Sequence, residues 1–270
     1  MKISKLAWQV SSPLLLGTLL LVLTPALAKD TVREEFRQTY PLEPKGTVKL
    51  DNVNGNVRVV TWDRAEIKVE AEKRGNDQER LDEVTIDIDA DADQIQIKTR
   101  YPVGGFGRNN RGDSVHVDYV LTVPREVRLD KVATVNGDVE IEGVAGEVVA
   151  STVNGELTAK SLHNDANLSS VNGSLDAEFT ELDRGHHVKL HTVNGKMSLT
   201  LPQAANAQVS AKTLNGSLTT EHDLAVKKNF PVGRELKGRL GQGGARVELN
   251  SVNGGIRILR ADQTRREARQ

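Results

Sequence analysis

Asp138 and Glu156 come nearest to catalytic chemistry in this sequence. Each lies two residues after the Asn of a Val-Asn-Gly tripeptide, so stacking of the tripeptides would bring the two carboxylates together. Facing carboxylates can serve as acid and base on a glycosidic bond, or share a Ca²⁺. A polysaccharide-acting enzyme is therefore one reading. Against it, aromatic residues make up only 3% of the chain, too few for a sugar-stacking platform. Asp87, Asp89, Asp91 and Asp93 form an alternating acidic row. An extended strand spreads alternate carboxylates by about 6.6 Å, so a solvated strand face is expected rather than a Ca²⁺ cage. His186, His187 and His191 cluster before a later tripeptide, but on a strand His187 and His191 stand roughly 13 Å apart, too far to share a metal. Arg111-Gly112-Asp113 matches the tripeptide by which some ligands engage animal integrins, a match that arises by chance in a chain of this length. Lys227, Lys228, Arg234, Lys237, Arg239 and Arg246 form a basic, Gly-containing stretch that could meet anionic glycan or lipid headgroups, although such runs are commonly solvated loops. The sequence has no phosphate loop, no His-Glu-x-x-His and no serine-nucleophile elbow. No enzyme, metal or cofactor is implied.

Composition narrows the field further. The 270 residues contain no Cys, which excludes disulfides, thiolate zinc sites, a cysteine nucleophile and a lipidated cysteine. Lys and Arg total 36 against 37 Asp and Glu, a formal charge of -1 that predicts no attraction of the whole chain to nucleic acid or to an anionic membrane. At the N-terminus, Lys2 and Lys5 precede an apolar stretch from Leu14 to Leu23 and then Ala26-Leu27-Ala28. This is the pattern of a secretory signal over residues 1–28, with no membrane anchor after cleavage. The expected location is outside the cytoplasm, periplasmic or extracellular.

The elements that must position these side chains follow from a repeat. Val-Asn-Gly or Leu-Asn-Gly occurs seven times, at Asn54, Asn136, Asn154, Asn172, Asn194, Asn215 and Asn253, each followed by Gly55, Gly137, Gly155, Gly173, Gly195, Gly216 and Gly254 respectively. The copies occupy residues 48–59, 130–141, 148–159, 166–177, 188–199, 209–220 and 247–258. Apolar or small residues recur two apart on both sides of each Asn-Gly, so each copy reads strand, corner, strand. Asn-Gly between alternating strands also signals a hairpin, and a hairpin meander or β-sandwich is the alternative. A hairpin would leave seven Val or Leu residues on the wrong face. A solenoid corner lets them fold inward, with Gly supplying a positive φ. The expectation is therefore an all-β solenoid over residues 29–259, with a charged tail at 260–270. Stacked coils would align the Asn side chains in an amide ladder, beside a hydroxyl ladder of Thr134, Thr152, Ser170, Thr192, Thr213 and Ser251. Phe36 to Pro41 and Glu66 to Lys73 read as end strands. Val84 to Asp89 and Gln94 to Arg100 read as a hairpin or as two longer coil strands, and Val115 to Val123 as one more strand.

Phe36, Tyr40-Pro41, Asp51-Asn52-Val53-Asn54-Gly55, Thr61-Trp62-Asp63 and the closing Gly241-Gln242-Gly243-Gly244 form an ordered set. The set resembles a family of bacterial envelope proteins grouped as adhesin-like, a domain family without an assigned function. The resemblance implies a right-handed β-solenoid, a β-helix-like domain outside the cytoplasm, and supplies no catalytic residues. The functional expectation is a non-catalytic structural or binding module whose outward row Thr158, Asp176, Ser198 and Thr219 contacts envelope glycans or proteins. An envelope-signalling partner is a further alternative, and oligomeric state is not readable.

Overall fold

The computed structural model describes residues 31–102, 115–182, 184–228 and 232–261. The signal segment 1–28, Arg111-Gly112-Asp113 and all of the charged tail beyond Ala261 lie outside them, and so does the Lys228 side chain. From the N-terminal side the elements are β1 (Val32–Pro41), β2 (Thr47–Asp51), β3 (Val57–Trp62), β4 (Glu66–Gly75), a short helix α1 (Gln78–Asp82), β5 (Thr85–Ala90), β6 (Gln94–Arg100) and β7 (His116–Pro124). Five closely spaced copies follow as strand pairs: β8 (Arg128–Asn136) and β9 (Val139–Glu142), β10 (Val148–Asn154) and β11 (Leu157–Leu162), then β12 (Ala166–Asn172) and β13 (Leu175–Phe179). The next two are β14 (His187–Asn194) with β15 (Met197–Leu201) and β16 (Ala207–Asn215) with β17 (Leu218–Thr220). The chain then forms β18 (Val226–Lys228) and β19 (Arg234–Leu240) before the last copy, β20 (Ala245–Asn253) and β21 (Ile256–Arg260).

The Asn-Gly steps are corners between two sheets, not hairpin reversals. The strand before each corner joins one sheet and the strand after it joins the other, and each pairs in parallel with its counterpart in the next coil. Ser151 pairs with Ser169 and Asn154 with Asn172 on one side of the corner. Leu157 pairs with Leu175 and Thr158 with Asp176 on the other. The fold is a solenoid, as the repeat implied. Its core is the space between the sheets, filled by every second residue: Val148, Ala150 and Thr152 of β10 face Leu157, Ala159 and Leu162 of β11, all buried. Alternation buries one face of each strand and leaves the other to solvent.

Two corrections concern the corners. The Val or Leu before each Asn does not fold inward: Val135 is 37% and Leu214 49% exposed, and Val53 and Val171 are similarly open. The backbone stays extended up to the Asn, so the alternation that buries Thr134 or Ser170 must turn the next side chain out. Nor does Gly serve by its φ. Of the seven corner glycines only Gly55 has a positive φ, +127°. The others are needed for close approach: a Cβ on Gly137, Gly155, Gly173, Gly195, Gly254 or Gly216 would stand 1.8–2.1 Å from the glycine carbonyl oxygen of the adjoining coil. Gly55 meets Val117 O in the same way, at 2.2 Å.

The order of coils also departs from the order of the sequence. In the second sheet the strands run β18-β19-β16-β20-β14-β12-β10-β8-β2-β6-β5, so the seventh copy lies between the fifth and the sixth. The first sheet, β1-β4-β7-β3-β9-β11-β13-β15-β21-β17, repeats the insertion with β21. The ends turn antiparallel. The predicted hairpin is present as β5 and β6, β4 pairs antiparallel with β1 and β7, and β19 pairs antiparallel with β16 and β18. The outermost strands are charged (β1), acidic (β5) or only three residues long (β17, β18), features that discourage further edge pairing.

Candidate binding faces

The repeated residues are spent on holding coil to coil. Asn136 Nδ2 donates to Asn54 Oδ1 at 2.7 Å, Asn154 to Asn136 at 2.8 Å, Asn172 to Asn154 and Asn194 to Asn172 both at 2.9 Å. The chain of amides continues from Asn253 to Asn194 (2.8 Å) and from Asn215 to Asn253 (3.0 Å), following the spatial order of the coils. This ladder is on the surface, with six of its seven Asn exposed. The buried partners are the hydroxyls, and they do not bond one another. Thr134, Thr152, Ser170, Thr192 and Thr213 donate to the glycine carbonyls of neighbouring coils at 2.8–3.4 Å. Ser251 turns instead to Gly254 O of its own coil. Copy one carries Asn52 at this place, and its Nδ2 donates to Val117 O at 2.9 Å.

Asp138 and Glu156 do lie on adjacent coils, but Asp138 has another occupation. Its Oδ1 accepts the Glu156 backbone N–H at 2.7 Å, as Asn56 Oδ1 accepts Asp138 N–H at 2.9 Å and Asp118 Oδ1 accepts Asn56 N–H at 2.7 Å. This second row of side chains caps corner amides from coil to coil. Both residues are exposed on an outer corner. Asp87 and Asp89 lie on β5 with Asp91 and Asp93 in the turn that follows, and Asp87 is ion-paired with Arg100. Among the described residues no three acidic or His side chains converge as metal ligands. His187 and His191 share the outward face of β14, separated by Lys189.

Buried phenols mark the β7 end. Tyr119 shares a 2.7 Å hydrogen bond with Thr99, and burial pushes its pKa up to about 12. Tyr101, hydrogen-bonded to Asn54 O and Val115 O, is raised further, also by burial. At the other end burial lowers the pKa of His222, whose Nε2 lies 3.2 Å from Leu259 O.

Two outward surfaces remain available for binding. On the first sheet Thr158, Asp176 and Ser198 follow one another in register, and Arg257 stands between Ser198 and Thr219 because β21 is inserted there. On the second sheet a trough of about 540 Å³ runs over β19, β16 and β20, lined by Lys237, Arg239, Gln208, Ser210, Arg246 and Glu248. Three of the six cations in the basic stretch are thus gathered on one face. Lys227 and Arg234 lie apart from the lining, on β18 and at the start of β19.

A larger feature was missed by the whole-chain charge. Residues 31–181 hold 29 Asp and Glu against 18 Lys and Arg, whereas residues 182–260 hold five against twelve. Strands β1 to β13 form one contiguous end of both sheets and β14 to β21 the other, so the stacked strands have an acidic and a basic end. A running charge count along the sequence would have revealed it.

A family model, Toastrack DUF4097, matches residues 126–259, the closely spaced coils with the returning seventh copy. The chain carries a Toastrack domain. Strands β1 to β7 precede the matched residues, and β2 and β3 extend the same sheets. A comparison with curated proteins gives no match. Among solved structures, this chain is similar to a candidate cell adhesion protein from Clostridium sporogenes, with 14% identity over 84% of this chain and 100% of that one, at a TM-score of 0.49. It is also similar to a candidate adhesin from Bacteroides fragilis (11%, 84% and 97%, TM-score 0.30) and a candidate lipid-binding protein from Parabacteroides distasonis (10%, 84% and 97%, TM-score 0.27). Among the described residues no helix is long and apolar enough to cross a membrane.

Proposed function

We propose that this chain is an exported, non-catalytic envelope protein that acts as a structural or adhesin-like binding module. One observation carries the reading: the shared Asn and Gly of the repeats, and the inward hydroxyls of copies two to six, are engaged between coils, while the residues that vary between copies face outward in register. A repeat scaffold of this kind offers its partners an ordered surface rather than a pocket. Thr158, Asp176, Ser198, Arg257 and Thr219 present hydroxyl, carboxylate and guanidinium groups at about 4.8 Å steps, a pattern suited to many weak contacts with a glycan or a protein of the envelope. The export reading rests on the Lys2 to Ala28 segment. The test is an array of envelope glycans and extracts probed with the full chain and with Thr158, Asp176, Ser198 and Thr219 changed together to Ala. Signals that the variant loses support the reading, and an array equally bright with both chains refutes it. Fractionation of cells expressing the chain tests export, and a wholly cytoplasmic product would refute that part.

A further inference from the structure

We propose that the trough on the second sheet is a site for a phosphoryl oxyanion, held between the guanidinium groups of Arg239 and Arg246. Register places Arg239 opposite Gln208 and Gln208 opposite Arg246, so the two arginines rise from strands on either side of one polar residue. Two strand spacings separate their backbones by about 9.6 Å, a gap that long side chains close onto a shared anion. The neighbouring row places Ser210 between Lys237 and Glu248, next to Gln208 on the floor, so a hydroxyl and an amide can donate to the same group.

Four outward cations elsewhere in the stacked strands are matched with carboxylates on neighbouring strands or turns, Lys49 with Asp130, Lys131 with Asp51, Arg58 with Glu140 and Arg37 with Glu70, whereas Lys98 and Lys160 make no ion pair among the described residues. Within the trough Lys237 is 2.7 Å from Glu235, but no ion pair among the described residues involves Arg239, Arg246 or the adjacent Lys189. Glu248 is the one carboxylate in the lining. Arg239 is also held in place, since its Cδ and Cγ occupy the space beside Gly243 that a side chain there would need (3.1 and 3.3 Å from a Cβ). Unpaired guanidiniums on a basic end attract an anion from a distance and then bind it through charge-assisted hydrogen bonds. A phosphoryl group, with a charge near -2 as a monoester or about -1 as a diester and two or three unesterified oxygens in tetrahedral arrangement, can accept from both walls at once. The site lies on the sheet opposite the Thr158 row, so it stands or falls separately from the reading above.

The phosphoryl group can belong to a soluble phosphosaccharide or to a lipid headgroup, and the test separates the two. The full chain is titrated with inorganic phosphate, with glucose 1-phosphate, and with phosphatidylglycerol vesicles, beside neutral phosphatidylcholine vesicles. Arg239→Gln/Arg246→Gln serves as the variant and Arg58→Gln as the control. All three sites are exposed, so urea midpoints should agree and differences in binding report the site. Phosphate binding that weakens at least about tenfold in the double variant, is unchanged in Arg58→Gln, and falls as salt rises from 50 to 200 mM supports the proposal. Retention of glucose 1-phosphate without vesicle binding then assigns a saccharide, and binding to phosphatidylglycerol alone assigns a headgroup. Absence of phosphate binding at 10 mM, or equal binding by the double variant, overturns the site.

Discussion

Replacing Gly173 by Ala tests the claim that the corner glycines exist for contact between coils. An Ala Cβ there would stand 1.8 Å from Gly155 O, so the two coils must part locally by about 1.2 Å to reach even the tightest tolerated approach. That opening lengthens three bonds across the same gap: Gly155 N–H to Asn172 O (3.2 Å), Ser170 Oγ to Gly155 O (3.2 Å) and Asn172 Nδ2 to Asn154 Oδ1 (2.9 Å). At about 1 kcal/mol for each bond and 1–3 kcal/mol for overpacking, the substitution should destabilise the fold by about 4–6 kcal/mol. Gly185 is the control, because its φ is +91° but nothing lies within 4 Å of a Cβ there. Gly185→Ala carries only the strain of that φ, about 1–2 kcal/mol. Equilibrium urea unfolding of the two variants beside the parent measures the difference. A Gly173→Ala midpoint equal to or above that of Gly185→Ala would refute the close-approach account.

Three further outcomes follow from the same geometry. Asn172→Leu removes one donated and one accepted ladder bond while Asn54→Leu removes one accepted bond, so thermal melting should show losses of about 1–2 and about 0.5–1 kcal/mol, and equal shifts would count against the ladder. Tyr119 ionises near 12 in the fold against 10 when unfolded, so its neutral form favours folding, and that contribution is full below pH 10 and is lost as pH rises through 12. Tyr119→Phe should flatten this alkaline loss of stability, and an unchanged pH profile would assign the loss to other groups. Six corner glycines donate their N–H to an Asn carbonyl of the neighbouring coil at 2.8–3.2 Å, but Gly216 N–H makes no hydrogen bond to a described residue. Deamidation requires that nitrogen to attack the Asn amide carbon and expel ammonia. Peptide mass mapping after alkaline incubation should therefore find Asn215 converted ahead of Asn172, and equal conversion would contradict the protection assigned to the bonded corners.

Much of this fold was legible because its information is periodic. Alternation around seven Asn-Gly steps gives strand, corner and strand, and stacking aligns the Asn side chains without any knowledge of distant contacts. The same alternation also predicted outward valines: once Thr134 and Ser170 face inward, Val135 and Val171 must face out, and only the assumption of a bend at Val concealed it. Coil order was not legible, because every copy carries the same signature and nothing local states that Asn253 should bond Asn194 rather than Asn215. The role of glycine depended on what lay one coil away, which a composition cannot show. On the first sheet Thr158, Asp176 and Ser198 follow in register, and Arg257, which arrives from the inserted copy, separates Ser198 from Thr219. Arg239 and Arg246 were noted as basic residues, but their placement on either side of Gln208 needed the register of β19, β16 and β20.

Although they come last in the described chain, β20 and β21 are interior strands. Residues 245–260 form a keystone: the last coil in sequence lies between Asn194 and Asn215. In the finished fold β16 and its cap reach the rest of the second sheet only through β20. Shortening the chain by one repeat at this end would remove an interior layer rather than trim a tip.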